Sequence, residues 1–331
     1  MWNQLRLVFV WVLVIAPSCA DDPGERDPRL GELGRVKFNG GGGCNGSTTL
    51  AAGSTAKMRL EAVDGTLPQD LQITSTRPEV IAARPGDDGD GEDTITLRAV
   101  GDGETRVELY TGESLLDWLG FDVVDAASAT HEAPDAVLEG GRYVLEVKEI
   151  YGEFGEDEPL IGADFMRWDT DPAGAFVLVE DEGRRAQFAA SSAGPVTISA
   201  SDPATGVELL EHEVTVVAVG DAGELSASIT VDPPGDEDEV SEPAPPPLTM
   251  PEGSLFVVKL TADSPAGEVA IFGEDIEWQV LEGQVLQGGE NYSTPEGPIF
   301  TSEGAGPVTL RARVALLDAE IEIALDVDEV E

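Results

Sequence analysis

Residues 305–313 read AGPVTLRAR, and residues 193–201 read AGPVTISAS. In the later copy Val308, Leu310, Ala312 and Val314 alternate with Thr309, Arg311 and Arg313. Successive side chains of an extended chain point to opposite faces, so this pattern sets an apolar face on a core and a polar face in water. A half-buried antiparallel strand reads this way. Similar short segments, bounded by Gly, Pro, Asp or Asn, recur as DTITLRAV (93–100), TRVELY (105–110), RYVLEVKEI (142–150), HEVTVVAV (212–219) and IEIALDV (321–327). Only ESLLDWLGF (113–121) carries helix-like spacing. Many short strands separated by turn signals predict an all-β, sandwich-type architecture.

The two quoted stretches belong to a longer repeat. Trp168 stands 26 residues before Gly194, and Trp278 stands 28 before Gly306. An earlier copy is visible in LQITSTRPEV (71–80) and VGDGETRVELY (100–110), with Thr74 in the tryptophan's place, 29 residues before Gly103. One module of roughly 95–110 residues therefore occurs three times, the length of an immunoglobulin-type sandwich. The tryptophans belong on an inner sheet face, where their large area is buried. Gly194 and Gly306 mark the tight turn before the next strand.

Thr74, Ser75, Pro78 and Val80, followed by Ala99, Gly103 and Val107, resemble the bacterial Ig-like (BIG-type) repeat of surface adhesins and exported lipoproteins. Trp168, Thr170, Pro172, Ala189, Gly194 and Val196 carry it again, and the third copy keeps Trp278, Gly306 and Val308 without the proline. The resemblance covers most of residues 47–331. It implies tandem immunoglobulin-like β-sandwiches of seven strands and specifies no ligand.

The N-terminus gives the address. Arg6 precedes LVFVWVLVIA (7–16), a positive residue followed by an apolar core of export-signal shape. Ala16, Pro17, Ser18 and Cys19 then resemble a bacterial lipobox, which implies that Cys19 is lipidated and begins the mature chain. Ordinary signal cleavage, with Cys19 discarded or paired to Cys44, is the alternative. ADDPGERDPRLGELGR (20–35) is charged and broken by Pro and Gly, the composition of a flexible tether that the Gly40–Gly43 run prolongs. The expected layout is a signal peptide at 1–18, anchor and tether at 19–46, and Ig-like modules at 47–126, 134–220 and 226–331. Small polar linkers are expected over 123–136 and 219–228. The acidic, proline-rich segment 233–247 reads as a loop inside the third module, with an interdomain linker as the alternative.

Charge excludes one class of partner. With 65 acidic and 19 basic residues the formal net charge is −46, and there is no basic cluster to engage nucleic acid. No apolar run reaches the roughly 20 residues of a membrane-spanning helix. Two cysteines are too few for a zinc site. The two histidines, His131 in the first linker and His212 at the head of a strand, lack a nucleophile-elbow sequence, so the chain is not read as an enzyme. Asp87, Asp88, Asp90, Glu92 and Asp93 crowd the glycine-rich turn 86–94, and calcium is the one metal that such a loop suits. The expectation is an exported, lipid-anchored protein on a bacterial outer membrane or cell surface, structural or adhesive, with a surface protein or glycan as partner. The alternative is a calcium- or glycan-binding module, periplasmic or secreted, without a lipid.

Overall fold

In the strand Gly306–Val314 the residues Val308, Leu310, Ala312 and Val314 are all buried, whereas Arg313 is exposed and Arg311 half-buried. The computed structural model describes residues 29–40, 48–86, 93–153, 159–234, 244–288, 293–294 and 297–329. Among these, strands account for every regular element except three single-turn 3-10 helices at 219–221, 273–275 and 315–317. The strands form three sandwiches of immunoglobulin type, each with its own core.

The first module shows the plan. One sheet orders Val36–Gly40, Thr55–Ala62, Thr94–Ala99 and Ile81–Gly86; the other orders Thr49–Ala51, Ser114–Val124, Gly103–Thr111 and Leu71–Ser75. The opening strand is thus divided between the sheets, and its second part runs parallel to the last strand of the module. The second module repeats this with Ala126–Glu132 in one sheet and Ala136–Leu138, parallel to Glu208–Val217, in the other. The third has Leu225–Asp232 and then Leu248–Pro251, parallel to Ala319–Asp328. In sequence, residues 233–247 fall between those two strands, and 235–243 lie outside the described residues.

Three expectations change. Val36–Gly40, expected in the tether, pairs with Thr55–Ala62 and buries Val36 and Phe38. Two alternating apolar residues are enough when a partner strand supplies the hydrogen bonds. Ala126–Glu132, expected as linker, is the opening strand of the second module, and Asp125 alone separates it from the last strand of the first. Likewise Leu225–Asp232 falls across the second expected linker. Small alternating residues carried too little hydrophobic signal to mark these strands.

The helix-like stretch 113–121 is strand as well. Ser114–Val124 pairs antiparallel with Gly103–Thr111 and buries every second residue: Asp117, Leu119, Phe121 and Val123. Asp117 breaks the apolar pattern because its carboxylate is itself satisfied. Oδ1 accepts the N–H groups of Leu33 and Trp118, both at 2.8 Å, and Oδ2 accepts those of Arg35 at 2.7 Å and Val36 at 2.9 Å. A buried carboxylate needs such donors. It fastens the turn that leads into the opening strand, and Gly31 is required there, since a Cβ would fall 2.5 Å from the carboxylate.

The repeat glycines have a backbone reason. Gly103, Gly194 and Gly306 each open a strand with φ between +116° and +129°, a region that glycine alone enters freely. Counting from them corrects one assignment. Trp168 faces Ala200 and Trp278 faces Ala312, each six residues beyond its glycine; in the first module that register gives Ile73 opposite Leu109. Ile73, half-buried against the core, takes the tryptophan's place, and Thr74 points to solvent. Trp168 and Trp278 pack edge-on against Phe188 and Phe300, with ring centroids 5.9 and 5.3 Å apart.

Neighbouring modules are joined by one device used twice. In the second module, Ile161 bridges in parallel to Leu50 and Ala163 bridges to Thr55 of the first. Four backbone hydrogen bonds of 2.8–3.1 Å link Thr49, Ala51 and Thr55 to Ile161 and Ala163. In the third module, Ala270 bridges in parallel to Val137 of the second, which merges sheets of both modules into one of ten strands. Leu50 and Val137 are equivalent, each lying on the second part of its module's opening strand. The cores interlock accordingly. Ala51 packs in the second core and Ile161 in the first; Ala136 and Leu138 pack in the third, and Ala270 and Phe272 in the second.

Candidate functional site

Of the residues singled out in the sequence, Cys19 and four of the five calcium candidates, Asp87, Asp88, Asp90 and Glu92, lie outside the described residues. Asp93 is exposed beside the strand Thr94–Ala99. Among the described residues no three His, Cys, Asp or Glu side chains are grouped to hold a metal.

The two histidines, 81 positions apart, meet. His131 Nε2 lies 3.1 Å from His212 Nδ1, and His212 Nε2 lies 3.2 Å from the carbonyl oxygen of Pro134. A carbonyl only accepts, so His212 carries its proton on Nε2, its Nδ1 accepts, and His131 Nε2 donates. Burial, and then the neighbouring His212, lower the pKa of His131. The Tyr143 hydroxyl donates to the same Pro134 carbonyl, and its ring stacks on His212. The pair therefore ties the opening strand of the second module to the facing sheet.

At the first joint, Arg184 donates to three carbonyls: Leu160 at 2.7 Å, Lys148 at 3.0 Å and Gly162 at 3.2 Å. Burial lowers its pKa, and the nearby Glu149 opposes that shift. The guanidinium holds the 160–163 segment in the shape that pairs with the first module.

A shallow concavity lies on the outer face of the first module's second sheet. The residues of Ser114–Val124 that alternate with the buried set, Trp118, Gly120 and Asp122, face outward there beside Glu104 and Arg106 of Gly103–Thr111. The groove has a volume of about 570 Å3, and Arg77 also lines it. The Arg106 guanidinium lies over the Trp118 ring, 4.4 Å from its centroid. Glu104 and Asp122 are directly opposed across the strands. Desolvation at the strand surface, and secondly Glu104, raise the pKa of Asp122, although solvent still reaches its side chain. Sequence reasoning missed this site because Trp118 was counted in a helix; the period-2 pattern through Asp117, Leu119, Phe121 and Val123 would have exposed it.

No protein-family model matches the chain, and no curated protein matches it in sequence. Solved structures similar to it include the Escherichia coli adhesin FdeC, at 15% identity over 88% of this chain and 96% of that one, TM-score 0.25. Domains 4–9 of the surface-layer protein SbsC align at 16% identity over 88% of this chain and 47% of that one, TM-score 0.31. Yersinia pseudotuberculosis InvD aligns at 14% identity over 87% and 96%, TM-score 0.24. Overlap at scores this low leaves role and partners undefined.

Proposed function

We propose that the chain is an exported, lipid-anchored protein of a bacterial surface whose three sandwiches act as one stiff support in a structural or adhesive role. The observation that carries this reading is the repeated joint. A support that keeps a surface at a fixed distance needs junctions that do not swivel, and interdomain contacts of ordinary polar kind leave relative motion as the default. Backbone pairing and exchanged core residues at both junctions oppose that motion. The charge of −46 repels anionic lipid, so attachment falls to a lipid on Cys19 rather than to adsorption. The intact mass of the membrane-extracted protein tests the anchor: an acylated chain beginning at Cys19 supports it, and an unmodified mature chain in the soluble fraction refutes it. Small-angle scattering tests the stiffness; a profile that needs an ensemble of bent forms refutes it.

A further inference from the structure

Three features of the Trp118 groove run against what a sheet needs for stability. Gly120 sits inside an eleven-residue strand, where glycine weakens pairing, yet its φ is ordinary and a Cβ there would meet nothing within 4 Å. Neither backbone nor space requires it. Glu104 and Asp122 are like charges in directly opposed positions, a destabilising pair on any sheet. Trp118, a large ring, is turned outward on the face of the strand away from the core. Such departures from local rules, converging on one surface, mark a functional site.

The groove's chemistry selects the ligand. Its floor is the bare backbone of Gly120, which permits close approach. The indole offers an apolar wall, and Arg106, stacked on it, presents a planar fork of donors. Glu104 and Asp122 supply acceptors. Arg77 is already engaged, its Nε with the Glu79 carboxylate at 3.2 Å and its Nη1 with the Glu104 carbonyl at 3.0 Å, so Arg106 is the guanidinium that faces Glu104 and Asp122. A phosphate or sulfate ligand would meet the carboxylates, and a cation would meet the Arg106 guanidinium. A saccharide without charge offers the complement: hydroxyl groups that donate and accept, and C–H faces that pack on an aromatic ring. The volume of about 570 Å3 lies within the roughly 300–1,000 Å3 of small-molecule sites.

We infer that the outer face of the first module, at Trp118, Arg106, Gly120, Glu104 and Asp122, is a binding site for neutral saccharide chains. This gives the adhesive reading a ligand class, but binding in solution is independent of whether Cys19 is acylated, so the two can fail separately. The test is titration calorimetry of the full chain with neutral hexasaccharides of β-1,4-glucose, α-1,4-glucose and β-1,4-N-acetylglucosamine, with polysialic acid as the charged comparison. Saturable binding of at least one neutral probe is expected, with Kd of about 1 mM or below. Trp118→Ala should weaken it about tenfold or more. Gly120→Val should abolish it while leaving the urea midpoint equal or higher, an outcome that separates a blocked groove from a damaged fold. No heat from any neutral probe at about 10 mM, binding of polysialic acid alone, or full binding by Gly120→Val would each overturn the assignment.

Discussion

Asp117→Asn keeps the shape of the side chain and should still damage the first module. Both carboxylate oxygens act as double acceptors: Oδ1 for Leu33 and Trp118, Oδ2 for Arg35 and Val36. Whichever way the amide turns, its NH2 group faces two N–H donors. Val36 N–H is fully buried, and leaving such a donor unpaired costs about 1–3 kcal/mol; the other three are partly buried and recover some hydration from water. We expect about 2–4 kcal/mol for Asp117→Asn and about 3–5 kcal/mol for Asp117→Ala, which frees all four donors. Both are large fractions of a domain's usual stability of about 5–15 kcal/mol. Urea unfolding gives the total, and amide hydrogen exchange at residues 31–38 locates it. An Asp117→Asn cost below about 1 kcal/mol, with Val36 exchange unchanged, would refute the view that this carboxylate fastens the opening strand.

Arg184→Ala removes the donor shared by the Leu160, Lys148 and Gly162 carbonyls, so about 2–4 kcal/mol should be lost, with faster exchange at 160–163 as the local sign. Trp168 Nε1 is buried with no hydrogen-bond partner among the described residues. Trp168→Phe should therefore cost only about 1–2 kcal/mol by denaturation, against about 3–5 for Trp168→Ala. The folded state lowers the pKa of His131, so between that value and the unfolded value near 6.5 the unfolded chain binds more protons. This contribution is complete above about pH 6.5 and is lost as pH falls toward the folded value. Urea midpoints measured across that window should slope downward with acid, and His131→Gln should flatten the slope.

The sequence carried the strand content well because the apolar period is a local property: Val308 to Val314 and Val196 to Ala200 need no partner to be read. Recognition weakened wherever the burying surface came from elsewhere. Ala126–Glu132 is strand because the adjacent Arg142–Gly152 gives it a register, not because its alanines, serines and threonines announce one. Within 113–121 the pairs Leu115-Leu116 and Trp118-Leu119 imitate helical spacing, and the buried acid at 117 hides the period of two. No local rule predicts a buried carboxylate whose four donors include three from more than 80 residues away. Thr74 was placed one residue off because tryptophan-to-glycine distances differ among the modules; pairing with the following strand selects Ile73. The groove was illegible for a related reason. Arg106 and Trp118 are neighbours only through strand register, and the meaning of Gly120 depends on knowing that nothing crowds it.

The exchanged residues at the joints also impose an order on how the chain matures. Synthesis proceeds from the N-terminus, and domains generally fold as they emerge. The first module cannot follow that schedule to its end, because Ile161, part of its core, arrives more than 35 residues after its own last strand closes at Val124. Until then Thr49–Ala51 keeps an unpaired edge, the kind of exposed backbone that invites pairing with another chain. The second module waits in the same way for Ala270 and Phe272. The first two modules are thus each completed by the next one, and a truncation drawn after either would leave a core short of its last residues.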